Sequence, residues 1–266
     1  MTRCGASLSS VGWLLILPST LLGQFMVKLA PRTDQRFVEY QQAAEAKMDW
    51  QAHLSPAPGE VLVAAGNKSA ITNVENGMIH DWRAATFVRG AAVDQALAVL
   101  HDYDRYKIIY APEVADSKLL SHEGNHYRIF LQLIKKKVLT VVLNSEYDVE
   151  YRPLGNGVDA PRRWASISRS TRFAEVNNGQ ELPPGTGHGF LWRTNSYWLI
   201  EQREGGVYLE CRSLSLSRDI PVVFEWIIKP MVTSVPRESL RGLMLATVRA
   251  MTQQNSSASA PETPVK

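Results

Sequence analysis

The chain has 266 residues, 45% hydrophobic and 21% charged, which is the ordinary globular range and enough to bury a core without a metal or disulfide staple. Its 29 basic and 26 acidic side chains leave a net charge of +3, too mild and too mixed for a nucleic-acid footprint. The two cysteines exclude a disulfide framework, because Cys4 lies in a segment expected to be removed and Cys211 is then alone.

Residues 1–23 read as a signal peptide: Arg3 gives a positive start, Val11 to Leu22 form an apolar stretch interrupted by Pro18, and Gly23 closes it. That stretch is shorter than the ~20 residues that span a bilayer, so cleavage near Gln24 and export to the periplasm or the exterior are expected. Leu21 and Gly23 replace the small residues of an A-x-A box, which leaves an uncleaved tether as the alternative. No cysteine follows Gly23, which argues against lipid attachment there.

Residues 24–58 form an N-terminal helical extension. Phe37, Tyr40, Ala44 and Met48 recur at three-to-four residue spacing between Pro31 and the break Ser55-Pro56-Ala57-Pro58. The apolar stripe is thin, so the helix is expected to lie on the domain rather than in its main core. The domain proper is expected over 59–252, and the Ser-, Ala-, Pro- and Gln-rich residues 253–266 form a disordered tail.

Within the domain a strand near Ile79 to Val88 precedes a short helix from Val93 to His101, and a series of alternating segments follows. Gly124-Asn125, Lys135 to Lys137, Gly155-Asn156-Gly157, Pro183 to Gly189 and Gly205-Gly206 punctuate that series as turns. The closing element is a helix: Leu240, Leu243, Met244, Thr247, Val248 and Met251 repeat at helical spacing, with Pro236 where a first turn tolerates it. The order gives an α+β fold, a curved antiparallel sheet wrapped around a long C-terminal helix.

Strand parity sharpens this picture in the hairpin on either side of Arg203 to Gly206. Whether the turn is centred on Glu204-Gly205 or on Gly205-Gly206, even residues before it share a face with odd residues after it. One face then carries Phe190, Trp192, Thr194, Ser196, Trp198, Ile200, Val207, Leu209, Cys211, Ser213, Ser215 and Ser217, all uncharged. Arg193, Glu201, Glu210, Arg212 and Arg218 mark the other face as the solvent side, although Leu214 and Leu216 sit there unexplained. Small hydroxyls among aromatics facing a closing helix leave space for a ligand, whereas the bland alternative is a helix packed down to fill the gap. Trp164, Ser166, Ser168, Ser170, Arg172, Ala174 and Val176 share a face of their own strand. An inward Arg172 would suit a ligand carboxylate or phosphate, unless it pairs with a protein carboxylate or lies at the rim.

The stretches IHDWRAATFV, VDQALAVLHDYDRYKIIYAPEV, YRIFLQLIKKKVLTVVL and GGVYLECRSLSLSRDIP resemble the START-like or Bet v 1-like helix-grip superfamily, which includes polyketide cyclases and lipid-transfer domains. The resemblance covers about residues 76–252. It implies a helix-grip fold, similar to exported bacterial members without assigned chemistry, and carries no catalytic residue.

Three motifs imitate other chemistry. His122-Glu123-Gly124-Asn125-His126 is a literal HExxH, but Gly124-Asn125 is turn chemistry and no downstream His follows in the metzincin register, where Ile129 and Gln132 stand instead. Gly155-Asn156-Gly157-Val158-Asp159-Ala160 imitates a dinucleotide loop, but Pro161 and a strand follow where a helix is needed. Lys135 to Lys137, with Arg128, solvate a hairpin tip, the alternative being peripheral contact with an anionic membrane. The expectation is therefore a binder or carrier of a lipid-like or other apolar small molecule, with neither metal nor cofactor. Its candidate ligand residues are Trp164, Arg172, Trp192, Ser196, Trp198, Cys211, Ser213, Ser215 and Met244. A cyclase-like or hydrolase-like enzyme in the same cavity, or a non-binding envelope module, are the alternatives.

Overall fold

The structure is a computed structural model that describes residues 26–136, 140–155, 162–219 and 225–258, with backbone alone at 225–233 and 254–258. The expected leader, residues 137–139, 156–161 and 220–224, which include Lys137, Asn156 and Gly157 of the expected turns, and residues 259–266 lie outside the described residues. In chain order the elements are β1 (Val27–Lys28), α1 (Pro31–Ala46), β2 (Val61–Ala65), β3 (Ile71–Val74), β4 (Gly77–Arg89) and α2 (Val93–His101). A single 3-10 turn (Tyr103–Arg105), α3 (Tyr106–Ile109), β5 (Val114–Glu123), β6 (His126–Lys136), β7 (Thr140–Leu154) and β8 (Arg163–Asn177) follow. The chain continues through β9 (Gln180–Glu181), β10 (Thr186–Gly187), β11 (Arg193–Arg203) and β12 (Gly206–Arg218) to α4 (Glu225–Ala258). This is the helix-grip order expected from the sequence.

Ten strands form one antiparallel sheet with the path β2-β4-β12-β11-β8-β7-β6-β5, from which β3 and β9 branch; β1 and β10 pair separately. Eight strands side by side span about 34 Å if flat, several times the ~10 Å width of a helix. Yet α4 packs against both ends of the path. Its Leu240, Met244 and Met251 share a core with Val61 and Val63 of β2 and with Leu131 and Leu133 of β6, and its Ala246 joins Val114 of β5. The sheet must curl for one helix to reach both ends, which defines an inner face toward α4 and an outer face.

Local chemistry accounts for the short helix at the sheet end. The Gln95 side chain accepts a hydrogen bond from the Ala92 backbone N at 2.8 Å, closing the first turn of α2, and His101 stands in its last turn. The α4 helix departs from expectation at both ends. It begins at Glu225, so Pro236 lies inside it rather than in its first turn, and it runs to Ala258, past the expected boundary at 252. A proline removes one helical hydrogen bond without forbidding the turns on either side.

The outer face is not the solvent side. The α1 helix and the segment after it lie across it: Phe37 and Ala44 pack with Ile79, Ile167, Tyr197, Leu214 and Leu216 in a second core. That contact explains the two leucines. Three carboxylate clusters join the layers. Arg212 pairs with both oxygens of Asp81 at 2.9 and 2.6 Å, and Tyr40 of α1 donates to the same carboxylate at 2.9 Å. Glu45 of α1 takes two hydrogen bonds from Arg169 at 2.8 Å and one from Tyr197 at 2.7 Å. Glu210 accepts from the backbone N of His53 at 2.8 Å and of Leu54 at 3.2 Å, and also pairs with Arg83 and Tyr208.

Candidate functional site

The inner face is assembled by register. Arg203 pairs with Gly206, so the turn is centred on Glu204-Gly205, and Gly205 takes the left-handed conformation it requires at φ 75°. Thr194, Ser196, Trp198 and Ile200 of β11 therefore stand opposite Ser215, Ser213, Cys211 and Leu209 of β12. The neighbouring β4 adds His80, Trp82, Ala84 and Thr86 opposite Ser215, Ser213, Cys211 and Leu209, and β8 adds Trp164, Ser166 and Ser168 opposite Ile200, Trp198 and Ser196. No charged side chain occupies these inner positions of β4, β11 and β12.

This face brings together all but two of the sequence-predicted residues. Trp198 and Cys211 are buried in the inner core with Met244 of α4, and Trp164 packs against its edge. Ser215 is buried, whereas Ser196 and Ser213 are only half-buried. Burial pushes the Cys211 thiol well above its usual range, so it is a packing group and not a nucleophile.

Trp192 is the first exception. It precedes β11 and packs in the outer core with Phe37 and Leu216, while Phe190, expected beside it, is exposed. Strand parity does not extend past the strand's end. Arg172 is the second exception, and a β-bulge is the cause. Ser170 pairs with Tyr147 and Arg172 with the adjacent Glu146, so Thr171 is an extra residue that reverses the alternation. Phe173 takes the inner position, and Arg172 forms a two-point ion pair with Glu181 at 2.8 and 2.5 Å on the outside. Lys135, expected to solvate a hairpin tip, pairs instead with Glu113 and reaches Ser239 of α4 at 2.8 Å; Arg128 is paired with Glu146 and Asp148.

The HExxH residues form a hairpin tip, as their turn chemistry predicts: Glu123 pairs with His126 across a two-residue turn. His122 stands opposite Tyr127 and stacks on it at 4.2 Å, so His122 and His126 point to opposite faces of the strand pair and cannot share an ion. No helix among the described residues is long and apolar enough to cross a membrane.

The two ends of the inner face differ in polar bookkeeping. Toward α2 and α3 the hydroxyls are used internally: Tyr103 and Tyr151 bond each other at 3.0 Å, Tyr106 and Tyr151 both donate to the Leu100 carbonyl, and Tyr110 bonds Thr247 of α4 at 3.1 Å. Burial pushes all four phenols up, so they stay neutral. Among the described residues one ring nitrogen is left over at the α2 end, His101 Nε2, and two toward the serine end. His80 Nδ1 and Trp82 Nε1 are both buried and lack a hydrogen-bond partner, with His80 only 2% exposed. The sequence reading did not single out these two residues. The signal was present in IHDWRAATFV, where uncharged His80, Trp82 and Ala84 alternate with Asp81 and Arg83.

A small recess lies on the outer side, between the sheet and the segment after α1, lined by Met48, Trp50, His53, Arg83, Glu210 and Arg212. Its Arg83, Glu210 and Arg212 already pair within the protein.

Similar folds occur among solved structures. A STAR-related lipid transfer protein from Xanthomonas axonopodis is 18% identical with a TM-score of 0.46, over 70% of this chain and 100% of that one. Human STARD10 is 13% identical with a TM-score of 0.48, over 90% of this chain and 88% of that one. The Zhui aromatase/cyclase from Streptomyces sp. R1128 is 12% identical with a TM-score of 0.41, over 70% of this chain and 99% of that one. Similarity at this level carries no information on a ligand. No protein-family model and no curated protein matches the sequence.

Proposed function

We propose that the protein binds or carries a lipid-like or other apolar small molecule between the inner sheet face and α4. The observation that supports this reading is the composition of the inner wall. It is uncharged across three adjacent strands, it combines Trp82, Trp164 and Trp198 with a row of hydroxyls, and it leaves Trp82, Ser196 and Ser213 half-buried opposite the helix. Sites for apolar ligands have this make-up of many apolar contacts and few placed polar groups. A catalytic reading has less support, because the inner tyrosines are neutral and hydrogen-bonded to one another or to backbone. The proposal also puts the protein outside the cytoplasm, on the strength of the leader pattern in residues 1–23. A native chain starting near Gln24 supports that placement, and a cytoplasmic chain starting at Met1 overturns it.

The test of binding is uptake of the neutral fluorophore N-phenyl-1-naphthylamine by the parent and by Ser213→Leu. Filling space that a ligand uses should weaken uptake severalfold while costing little stability. If the parent takes up no probe and Ser213→Leu destabilises by the ~1–3 kcal/mol typical of overpacking, the face is a closed core and the proposal fails.

A further inference from the structure

The unpartnered nitrogens of His80 and Trp82 stand at adjacent inward positions of one strand. An indole Nε1–H is a donor only. Ser217 Oγ lies 3.0 Å from His80 Nε2 and 3.2 Å from the Arg218 carbonyl, so its one proton can go to either, and His80 Nδ1 presents an N–H or a lone pair accordingly. Burial holds the ring neutral by pulling its pKa down to about 4. One strand therefore presents a buried indole N–H and a buried imidazole nitrogen two residues apart, beside Ser213 and Ser215, with no charge on the inner positions of β4, β11 and β12.

Leaving such groups unpaired in a buried site is costly, and a hydroxyl, with one proton and two lone pairs, suits the two nitrogens in either tautomer of His80. From this we infer that the serine end of the inner face recognises the hydroxyl of an otherwise apolar alcohol, which accepts from Trp82 Nε1–H and pairs with His80 Nδ1. This rests on the binding reading above and narrows it. A carboxylate can accept from Trp82, but no cation on the inner positions of β4, β11 and β12 offsets its desolvation. Arg172, the one residue the sequence offered as a carboxylate partner, is engaged with Glu181 outside. A hydrocarbon leaves both nitrogens unpaired.

The experiment compares three probes with one chromophore and chain, namely pyrenedecanol, pyrenedecanoate and decylpyrene, at about pH 8 where the acid is ionised. Pyrenedecanol should bind at least about tenfold more tightly than either of the others, in line with the cost of leaving buried polar groups unpaired. Trp82→Phe and His80→Phe should each bring the alcohol toward the hydrocarbon, with decylpyrene unchanged within about twofold. The ranking on the parent protein decides the matter even if a variant fails to fold. If pyrenedecanoate binds as tightly as the alcohol, or the alcohol binds no better than decylpyrene, the hydroxyl assignment is wrong while the apolar-ligand reading survives. If none of the three binds, both are wrong.

Discussion

Replacing Glu210 with glutamine asks whether buried charge holds the outer layer to the sheet. The Glu210 side chain is 3% exposed, and it gathers the backbone N–H groups of His53 and Leu54, the Tyr208 hydroxyl and the Arg83 guanidinium. Glutamine keeps the shape but has one acceptor oxygen instead of two, and it turns an NH2 toward existing donors. Arg83, 13% exposed, loses its counter-charge. Removing one partner of a buried pair costs roughly 3–5 kcal/mol. The partial exposure of Arg83 and the surviving acceptor put the expectation at the low end, about 3 kcal/mol. At ~2–4 °C per kcal/mol for a chain of this size, the Tm measured by circular dichroism should fall by about 6–12 °C. The loss should concentrate in residues 47–58, which then become sensitive to limited proteolysis before the sheet melts. Adding Arg83→Met should recover part of the stability by removing the unpaired cation. A Tm drop under about 2 °C with unchanged cleavage would show that the network does not hold the layers together.

The same clusters set a pH dependence. Burial pushes the carboxyls of Glu45 and Glu210 up, but the hydrogen bonds of Arg169 and Tyr197 to the first, and of Tyr208, the His53 backbone and Arg83 to the second, outweigh it and hold both below 4.5. The unfolded chain therefore takes up protons first, so this stabilisation is full above about pH 4.5 and is lost as pH falls through the depressed values; Glu210→Gln should have a flatter acid limb in Tm against pH. Phe37→Ala removes a side chain 1% exposed in the outer core and should cost about 3–5 kcal/mol in urea unfolding, a result under ~1 kcal/mol meaning that α1 is not packed. Arg172→Ala breaks a half-exposed pair and should cost under ~1 kcal/mol with no change in N-phenyl-1-naphthylamine affinity, whereas a clear loss of affinity would restore Arg172 as a ligand contact. His122→Ala with His126→Ala should stay within ~0.5 kcal/mol of the parent, and stoichiometric zinc lost on that change would overturn the hairpin reading.

The inner wall was legible in the sequence because period-two alternation is a property of the strand itself. Once the hairpin of β11 and β12 is placed, its turn fixes the pairing, and Trp198, Ser196, Ser213 and Cys211 must share a face. The same rule fails at Arg172 and Trp192 for reasons that alternation cannot contain. One extra residue, Thr171, reverses the parity of everything beyond it, and no composition cue marks it, since Ser170-Thr171-Arg172 would suit an unbroken strand. Trp192 lies one residue before β11, where the backbone no longer alternates. His80 and Trp82 were reachable by carrying the parity one strand further, but their unpaired nitrogens follow from what surrounds them in three dimensions.

The outer layer is the instructive failure, because its signs were read backwards. Glu210 and Arg212 look like a solvated edge, and in sequence a carboxylate facing water cannot be told from one facing the guanidinium of another strand. Asp81 and Arg83 of β4 carry matching charges on the same face as Arg212 and Glu210 of β12, and across one antiparallel pair that makes two opposite-charge contacts. Charges that neutralise each other in place do not need water, and a surface built of them can be covered. Leu214 and Leu216 on that face are the residues that water would not favour. Two leucines alternating with paired charges on a supposed solvent face already required a cover, and the amphipathic stripe of Phe37, Tyr40 and Ala44 was the segment of this chain with an apolar side to supply it.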